Sequence, residues 1–264
     1  MDAASKDVLF TIAMDLDLPS LLRWCESNRR INKDVCNNSN VWRSKLLKDY
    51  PDYKKFNLDK TPKETYVFLY QLNLIKELLV SKESLYDIFL KKEIRLSGKG
   101  LRKVPAFDLP NLEKLYLSDN KLTRVPTFNL PNLQELYLHV NKLTEVPEFY
   151  LQNLQGLYLS RNKLIKVPAF DLPNLEVLDL ANNELTEFSI FNLPKLRVLD
   201  LSDNKLIKIS HIPELQRLYL SNNELTEAPV FDFSNLRILK MSDNKLTEKE
   251  MIKIKRKLGN RVEI

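Results

Sequence analysis

The sequence predicts an α+β solenoid: a parallel sheet built from a tandem repeat, closed by helices at both ends. Three observations carry that expectation. The segment Leu112-Glu113-Lys114-Leu115-Tyr116-Leu117-Ser118-Asp119-Asn120-Lys121-Leu122 recurs from Leu133, Leu154, Leu175, Leu196, Leu215 and Leu236, at spacings of 21, 21, 21, 21, 19 and 21 residues. Two further columns, one of Asn and one of Phe, keep constant phase with the leucines. Both flanks of the array carry helix-start signals. One such unit cannot bury its own leucines, so stacking is the only way to make a core.

Within each copy the two-residue period of a strand turns Leu115 and Leu117 inward and Lys114, Tyr116 and Ser118 outward. A degenerate first copy begins near Lys91, with Ile94, Leu96 and Leu101 in the leucine positions, which brings the array to about eight turns over residues 91–256. The column Asn120, Asn141, Asn162, Asn183, Asn204, Asn223 and Asn244 falls where the chain leaves each strand. A buried amide both donates and accepts, so these residues are expected to satisfy the backbone from turn to turn. Phe107, Phe128, Phe149, Phe170, Phe191 and Phe231, with Ile212 in the short copy, are expected to line a spine under the outer face. Val104-Pro105, Val125-Pro126, Val146-Pro147 and Val167-Pro168 open the return segments. Proline fixes φ and removes a donor, so extended or 3₁₀ returns are expected rather than long helices. The sixth copy is two residues short after Ile209, which predicts a local pinch, with His211 on a solvated loop.

The pattern LxxLxLxxNxL resembles the leucine-rich repeat family. The resemblance implies a sheet whose concave face binds another protein. On that face one residue per turn points outward: Arg95, Tyr116, Tyr137, Tyr158, Asp179, Asp200, Tyr219 and Lys240. The expected partner-binding residues are Tyr116, Tyr137, His139, Tyr158, Arg161, Asp179, Asp200 and Tyr219. The three successive tyrosines form an aromatic strip beside an acidic one, and rigid amphipathic side chains are typical binding anchors. The neighbouring columns lose regularity at the same place, through His139, Val140, Gly156, Arg161, Val177 and Val198. Gly156 is read as opening room for a bulky guest beside Tyr137 and Tyr158. A column of this kind can also do no more than ladder against itself. Asp179 and Asp200 lack a nearby nucleophile, base or pocket wall, so no catalytic residues are expected.

The flanks follow. Thr61-Pro62-Lys63-Glu64 opens a helix read over 62–80 as a cover for the first turn, continued by a short helix through Leu85, Ile88 and Phe89. Thr247-Glu248-Lys249-Glu250 is a capping box, followed by Met251, Ile254 and Leu258 at helical spacing and by Gly259 as a terminator. The helix 247–258 is expected to seal the last turn, with Lys253, Lys255, Arg256, Lys257 and Arg261 on a solvated basic face. Residues 7–50 read as three short helices separated by turns at 28–32 and 37–40. Val8, Leu9, Ile12, Ala13 and Leu16 have helical phase in the first. Pro19 opens the second, which carries Leu21, Leu22 and Cys25. Trp42, Leu46 and Leu47 mark the third. The divisions expected are 1–60, 61–90, 91–246 and 247–264.

The blocks Asp7-Val8-Leu9-Phe10-Thr11-Ile12, Leu16-Asp17-Leu18-Pro19-Ser20-Leu21-Leu22-Arg23 and Asn40-Val41-Trp42-Arg43 resemble, in order and spacing, the F-box. The family's opening Leu-Pro is absent here, and its basic and aromatic middle block is reduced to Asn28-Arg29-Arg30-Ile31-Asn32. The resemblance implies docking of a Skp-type adaptor at residues 7–50 through Leu9, Ile12, Leu16, Pro19, Leu21 and Leu22. It further implies a role in which a ubiquitin-ligase receptor holds its target on the concave sheet. A scaffold or inhibitor whose N-terminal helices only cap the solenoid fits the same residues. The short repeats with VPxF returns are most similar in style to proteins of large DNA viruses of amoebae.

Composition narrows the function classes. The net charge of +6 is spread thinly: residues 1–90 hold 14 basic and 13 acidic side chains, so no nucleic-acid stripe is expected. Four glycines, at 98, 100, 156 and 259, exclude a Gly-rich phosphate loop. Two His and two Cys leave no metal-ligand spacing, and no metal or cofactor is expected. No signal peptide and no membrane span are read. Cys25 and Cys36 are expected as separate buried thiols in a reducing cytoplasm, that of the host if the protein is viral. A monomer is expected.

Overall fold

The computed structural model describes residues 5–188, 192–209, 215–227, 235–259 and 262–263. It divides into two compact units, Met1–Phe89 and Leu90–Ile264.

The first unit is helical. Helix α1 (Lys6–Asp15) starts where Ser5 Oγ accepts from Val8 N at 3.3 Å. Helix α2 (Leu18–Ser27) starts where Asp17 Oδ1 accepts from Ser20 N at 2.8 Å, with Pro19 in the first turn. Aspartate at an N-cap and proline just inside it are the expected pairing. The stretch expected as a turn at 28–32 is instead helical. Asn28 caps a short α3 (Arg29–Ile31) that runs into a π-helical turn, Asn32–Cys36, closed by Asn37 N to Asn32 O at 2.9 Å. That turn brings Cys36 against α2, where it forms a disulfide with Cys25 across a Cα separation of 6.0 Å, well within bridging reach. Both cysteines are buried as expected, but the reading of two separate thiols is corrected.

Helix α4 (Ser39–Asp49) is capped by Asn38, whose Oδ1 accepts from Asn40 N at 3.0 Å. The buried Trp42 on it donates Nε1–H to Cys36 O at 2.9 Å. A 3₁₀ turn, Tyr53–Phe56, leads to α5 (Pro62–Leu79). Its capping box is complete: Glu64 N reaches Thr61 Oγ1 at 3.3 Å and Thr61 N reaches Glu64 Oε2 at 2.9 Å. Helix α6 (Leu85–Phe89) follows, and Phe56, Phe68, Tyr86 and Phe89 pack with ring centres 5.4 to 6.2 Å apart.

The second unit is the solenoid. Its strands are β1 (Glu93–Arg95), β2 (Lys114–Tyr116), β3 (Glu135–Tyr137), β4 (Gly156–Tyr158), β5 (Val177–Asp179), β6 (Val198–Asp200), β7 (Arg217–Tyr219) and β8 (Ile238–Lys240). All pair in parallel in sequence order, and register is kept across the short copy, where Val198 pairs with Arg217. The apolar residue at each strand centre and the one just past each strand are enclosed, as at Leu115, Leu117, Leu136 and Leu138. Phe107, Phe128, Phe149 and Phe170 form the expected spine, with centres 5.6 to 6.3 Å apart. Phe191, Phe231, Ile212 and His211, and with them the expected pinch, lie outside the described residues. The described returns after Val104-Pro105, Val125-Pro126 and Val146-Pro147 carry no helix.

All seven column asparagines make the turn-to-turn bonds expected. At Asn162, Oδ1 accepts from Leu143 N at 3.0 Å, and Nδ2 donates to Leu138 O, Leu159 O and Ser160 O at 3.0, 2.9 and 3.3 Å. The residue before each asparagine is left-handed, at φ 54° to 56° for Asp119, Val140, Arg161, Asn182, Asp203, Asn222 and Asp243. Asp and Asn tolerate that region; a β-branched residue does not. Val140 is therefore more strained than its Asp and Asn counterparts. Val140→Asn is expected to stabilise the protein by about 1–2 kcal/mol, raising the melting temperature by about 2–6 °C. An unchanged or lower midpoint in thermal denaturation would remove the strain argument.

Helix α7 (Glu248–Leu258) begins at Thr247, whose Oγ1 accepts from Glu250 N at 3.3 Å. The Glu250 carboxylate turns to Lys253 at 3.5 Å, so only half of the expected capping box is formed among the described residues. Gly259 ends the helix at φ 57°. The segment expected as a tail adds a ninth strand, β9 (Val262–Glu263), paired in parallel with β8.

Candidate functional site

The solvent side of the sheet is built by strand register alone. Arg95, Tyr116, Tyr137 and Tyr158 are successive partners on β1 to β4. Parallel strands lie about 4.8 Å apart, which is close to the stacking distance of aromatic rings. The three tyrosines accordingly stack, with centres 4.5 Å apart and planes 5° and 3° from parallel. The Arg95 guanidinium covers the outer face of Tyr116 at 4.3 Å. His139 meets Tyr137 edge-on at 6.2 Å.

The rings lean toward the start of their strands. The Tyr137 hydroxyl donates to Glu135, which Lys114 also holds through a 2.8 Å ion pair. Burial pushes the Glu135 carboxyl up, but the bonds from Lys114 and Tyr137 outweigh it and leave it below its ordinary value. Burial, then that same bond to Glu135, pushes the Tyr137 phenol upward. The lean also settles the fate of Gly156. A Cβ there would lie 2.9 Å from the Tyr158 ring. The space expected for a guest is taken by Tyr158 itself, and Gly156 permits the lean.

Asp179 and Asp200 continue the column on β5 and β6 as register partners. Asp179 accepts from Ser160 Oγ at 2.7 Å and from Ala181 N at 3.1 Å. Asp200 accepts from Ser202 N at 2.9 Å. Burial pushes the Asp200 carboxyl up, with the charge of Asp179 adding to it against the Ser202 bonds. A carboxyl with a raised folded-state pKa weakens the fold once pH rises through its unfolded and then its folded value, and is neutral in its effect below both. Asp200→Asn is therefore expected to raise the melting temperature at pH 7, and the gain should vanish below the unfolded carboxylate range. A pH-independent difference in thermal melts would contradict this.

Of the other expected site residues, Tyr219 lies on β7, beyond the two aspartates, and makes no ring contact among the described residues. Arg161 stands exposed at the left-handed corner after β4. Sequence reading placed Arg95 in the column without a role, and it overlooked Glu135 and Lys114, whose positions two residues before the tyrosines were the available signal. In the helical unit, Leu9 and Leu21 are enclosed in its core. Leu16 and Leu22 are half-buried and Ile12 and Pro19 exposed. Among the described residues there is no His, Cys, Asp and Glu group that could hold a metal and no helix long and apolar enough to cross a membrane.

The described strands thus present an open parallel sheet with an aromatic column on its solvent side. Residues 110–151, 131–172, 152–192 and 173–214 match the family model for leucine-rich repeats in two copies, and 214–236 matches the single leucine-rich repeat. The leucine-rich repeat domain of a Shigella effector is similar at 22% identity and a TM-score of 0.54, over 81% of this chain and 95% of that one. YopM, a leucine-rich effector protein from Yersinia pestis, is similar at 25% identity and a TM-score of 0.51, over 72% of this chain and 67% of that one. No curated protein sequence matches the chain. The chain carries leucine-rich repeats and has their fold, and proteins of this class generally work through protein–protein contact.

Proposed function

We propose that the protein is a non-enzymatic interaction module whose protein partner lies on the open sheet face, across Tyr116, Tyr137, Tyr158, Asp179 and Asp200. The in-register tyrosine stack carries this reading. It offers a large amphipathic surface whose rotamers are already held, so little entropy is lost on binding. Binders selected from a displayed peptide library against the full chain test it. Tyr137→Ala with Tyr158→Ala is expected to weaken them about tenfold or more, while stability falls by only about 1–2 kcal/mol. Unchanged affinity would move the site off the sheet.

A ubiquitin-ligase adaptor role for the helical unit is supported by one specific feature. Helix α1 leaves Val8, Phe10 and Ile12 exposed at 49%, 37% and 38%. Val8 and Ile12, one turn apart, share a face of the helix, with Phe10 on another side, and such an exposed apolar pair suits a Skp-type adaptor. Ile12→Asp with Pro19→Asp should abolish binding of a purified Skp-type adaptor. Failure of the unaltered protein to bind it would decide for the scaffold or inhibitor reading.

A further inference from the structure

The stacked column ends differently at its two ends. At β1 the outer ring face is covered from within the chain, by Arg95 on Tyr116. At β4 one face of Tyr158 rests on Tyr137, and the next register position is Asp179, too short to cover the other face. Among the described residues no cation and no ring lies against that second face. The lean of the tyrosines directs it over Val177, with Val198 one strand further, both half-buried. Alongside stand Asp179 and Asp200, which form no ion pair among the described residues.

We infer that this end of the column receives an arginine side chain of the protein partner, stacked on Tyr158 over Val177 and bonded to the Asp179 and Asp200 carboxylates. The inference rests on the sheet-face reading above and names the chemistry that face selects. The bonds from Ser160, Ala181 and Ser202 hold the carboxylates in place and leave each with free lone pairs. Two carboxylates on adjacent strands repel, and a cation between them turns that repulsion into attraction. A guanidinium is planar, stacks on an aromatic face and presents a fork of donors at its edge, so one group meets both demands. A lysine ammonium meets only one of them at a time. The Arg95–Tyr116 pair shows the same stacking already realised at the other end. The upward push on Asp200 from burial and from Asp179 is the state that such a cation relieves.

The test uses the full chain and peptides selected from a displayed library against it. Selected peptides should share an arginine whose replacement by lysine weakens binding about tenfold. Tyr158→Ala and Asp200→Asn in the protein should each cost a similar factor. Asp200→Asn keeps an acceptor for Ser202 N and is expected to melt higher, so its loss of binding cannot be blamed on misfolding. Peptides that need Tyr137 but bind equally well with lysine in place of arginine would overturn the arginine inference and leave the sheet-face reading standing. Peptides indifferent to Tyr137, Tyr158 and Asp200 alike, or a library that yields no binder, would overturn both.

Discussion

Replacing Asn162 by Ala is expected to destabilise the solenoid by about 2–4 kcal/mol. The amide of Leu143 has its one bond to Asn162 Oδ1, so the variant buries an orphaned N–H. The carbonyls fare better: the two leucine carbonyls are each shared by two successive asparagines, and Ser160 O also accepts from Val140 N at 3.0 Å. Leu138 O accepts from Asn141 at 3.0 Å as well as from Asn162, and Leu159 O accepts also from Asn183 at 3.1 Å. The column thus tolerates one gap more easily than two in a row. Asn141→Ala with Asn162→Ala strips Leu138 O of both donors and should exceed the sum of the single costs by about 1–2 kcal/mol. Urea denaturation followed by far-UV circular dichroism measures all three variants. Strict additivity would show that the carbonyls are not sharing donors.

In the helical unit the largest effect is expected at Asp49. Lys45 is 2% exposed, with Nζ 3.2 Å from the Asp49 carboxylate and 3.2 Å from Met14 O. Tyr66 donates its hydroxyl to Asp49 Oδ2 at 2.6 Å, and the Lys45 ammonium lies 5.4 Å from the Tyr66 ring centre. Asp49→Ala leaves a buried cation short of its counter-charge and a phenol without its acceptor. It should cost about 2–4 kcal/mol, below the full value for a sealed pair because Asp49 is partly open to water. Lys45→Met removes the charge and keeps the volume, leaving Asp49 hydrated and bonded to Tyr66. It should change stability by less than about 1 kcal/mol. The chain's two tryptophans, Trp24 and Trp42, both lie in this unit, so their fluorescence reports its unfolding selectively. Equal costs for the two variants would refute the asymmetry.

What recurs in this chain was legible in its sequence. Leu115 and its counterparts, Asn120 and its counterparts and the Phe spine each meet one local geometry many times, and a period reports such geometry directly. Features that occur once were not legible. The bridge from Cys25 to Cys36 depends on a π-helical turn that no propensity signals. The half-formed capping box at Thr247 turns on whether Glu250 prefers Lys253. The pairing of β9 with β8 rests on two residues, too few to show alternation. The site divides in the same way. Register placed Tyr116, Tyr137 and Tyr158 in a row, but the lean of their rings, and hence the filling of the space at Gly156, is a rotamer choice set by Glu135 and by strand spacing.

The short strand after α7 has a consequence for how molecules meet one another. A parallel sheet grown by repetition has no intrinsic last member, and its final rung presents unspent main-chain donors and acceptors to any strand that drifts by. With Val262 and Glu263 laid along β8, that rung is already occupied. Clipping these residues away would leave an adhesive margin, and the concentration at which such trimmed molecules begin to string together would measure how well the strand shields it.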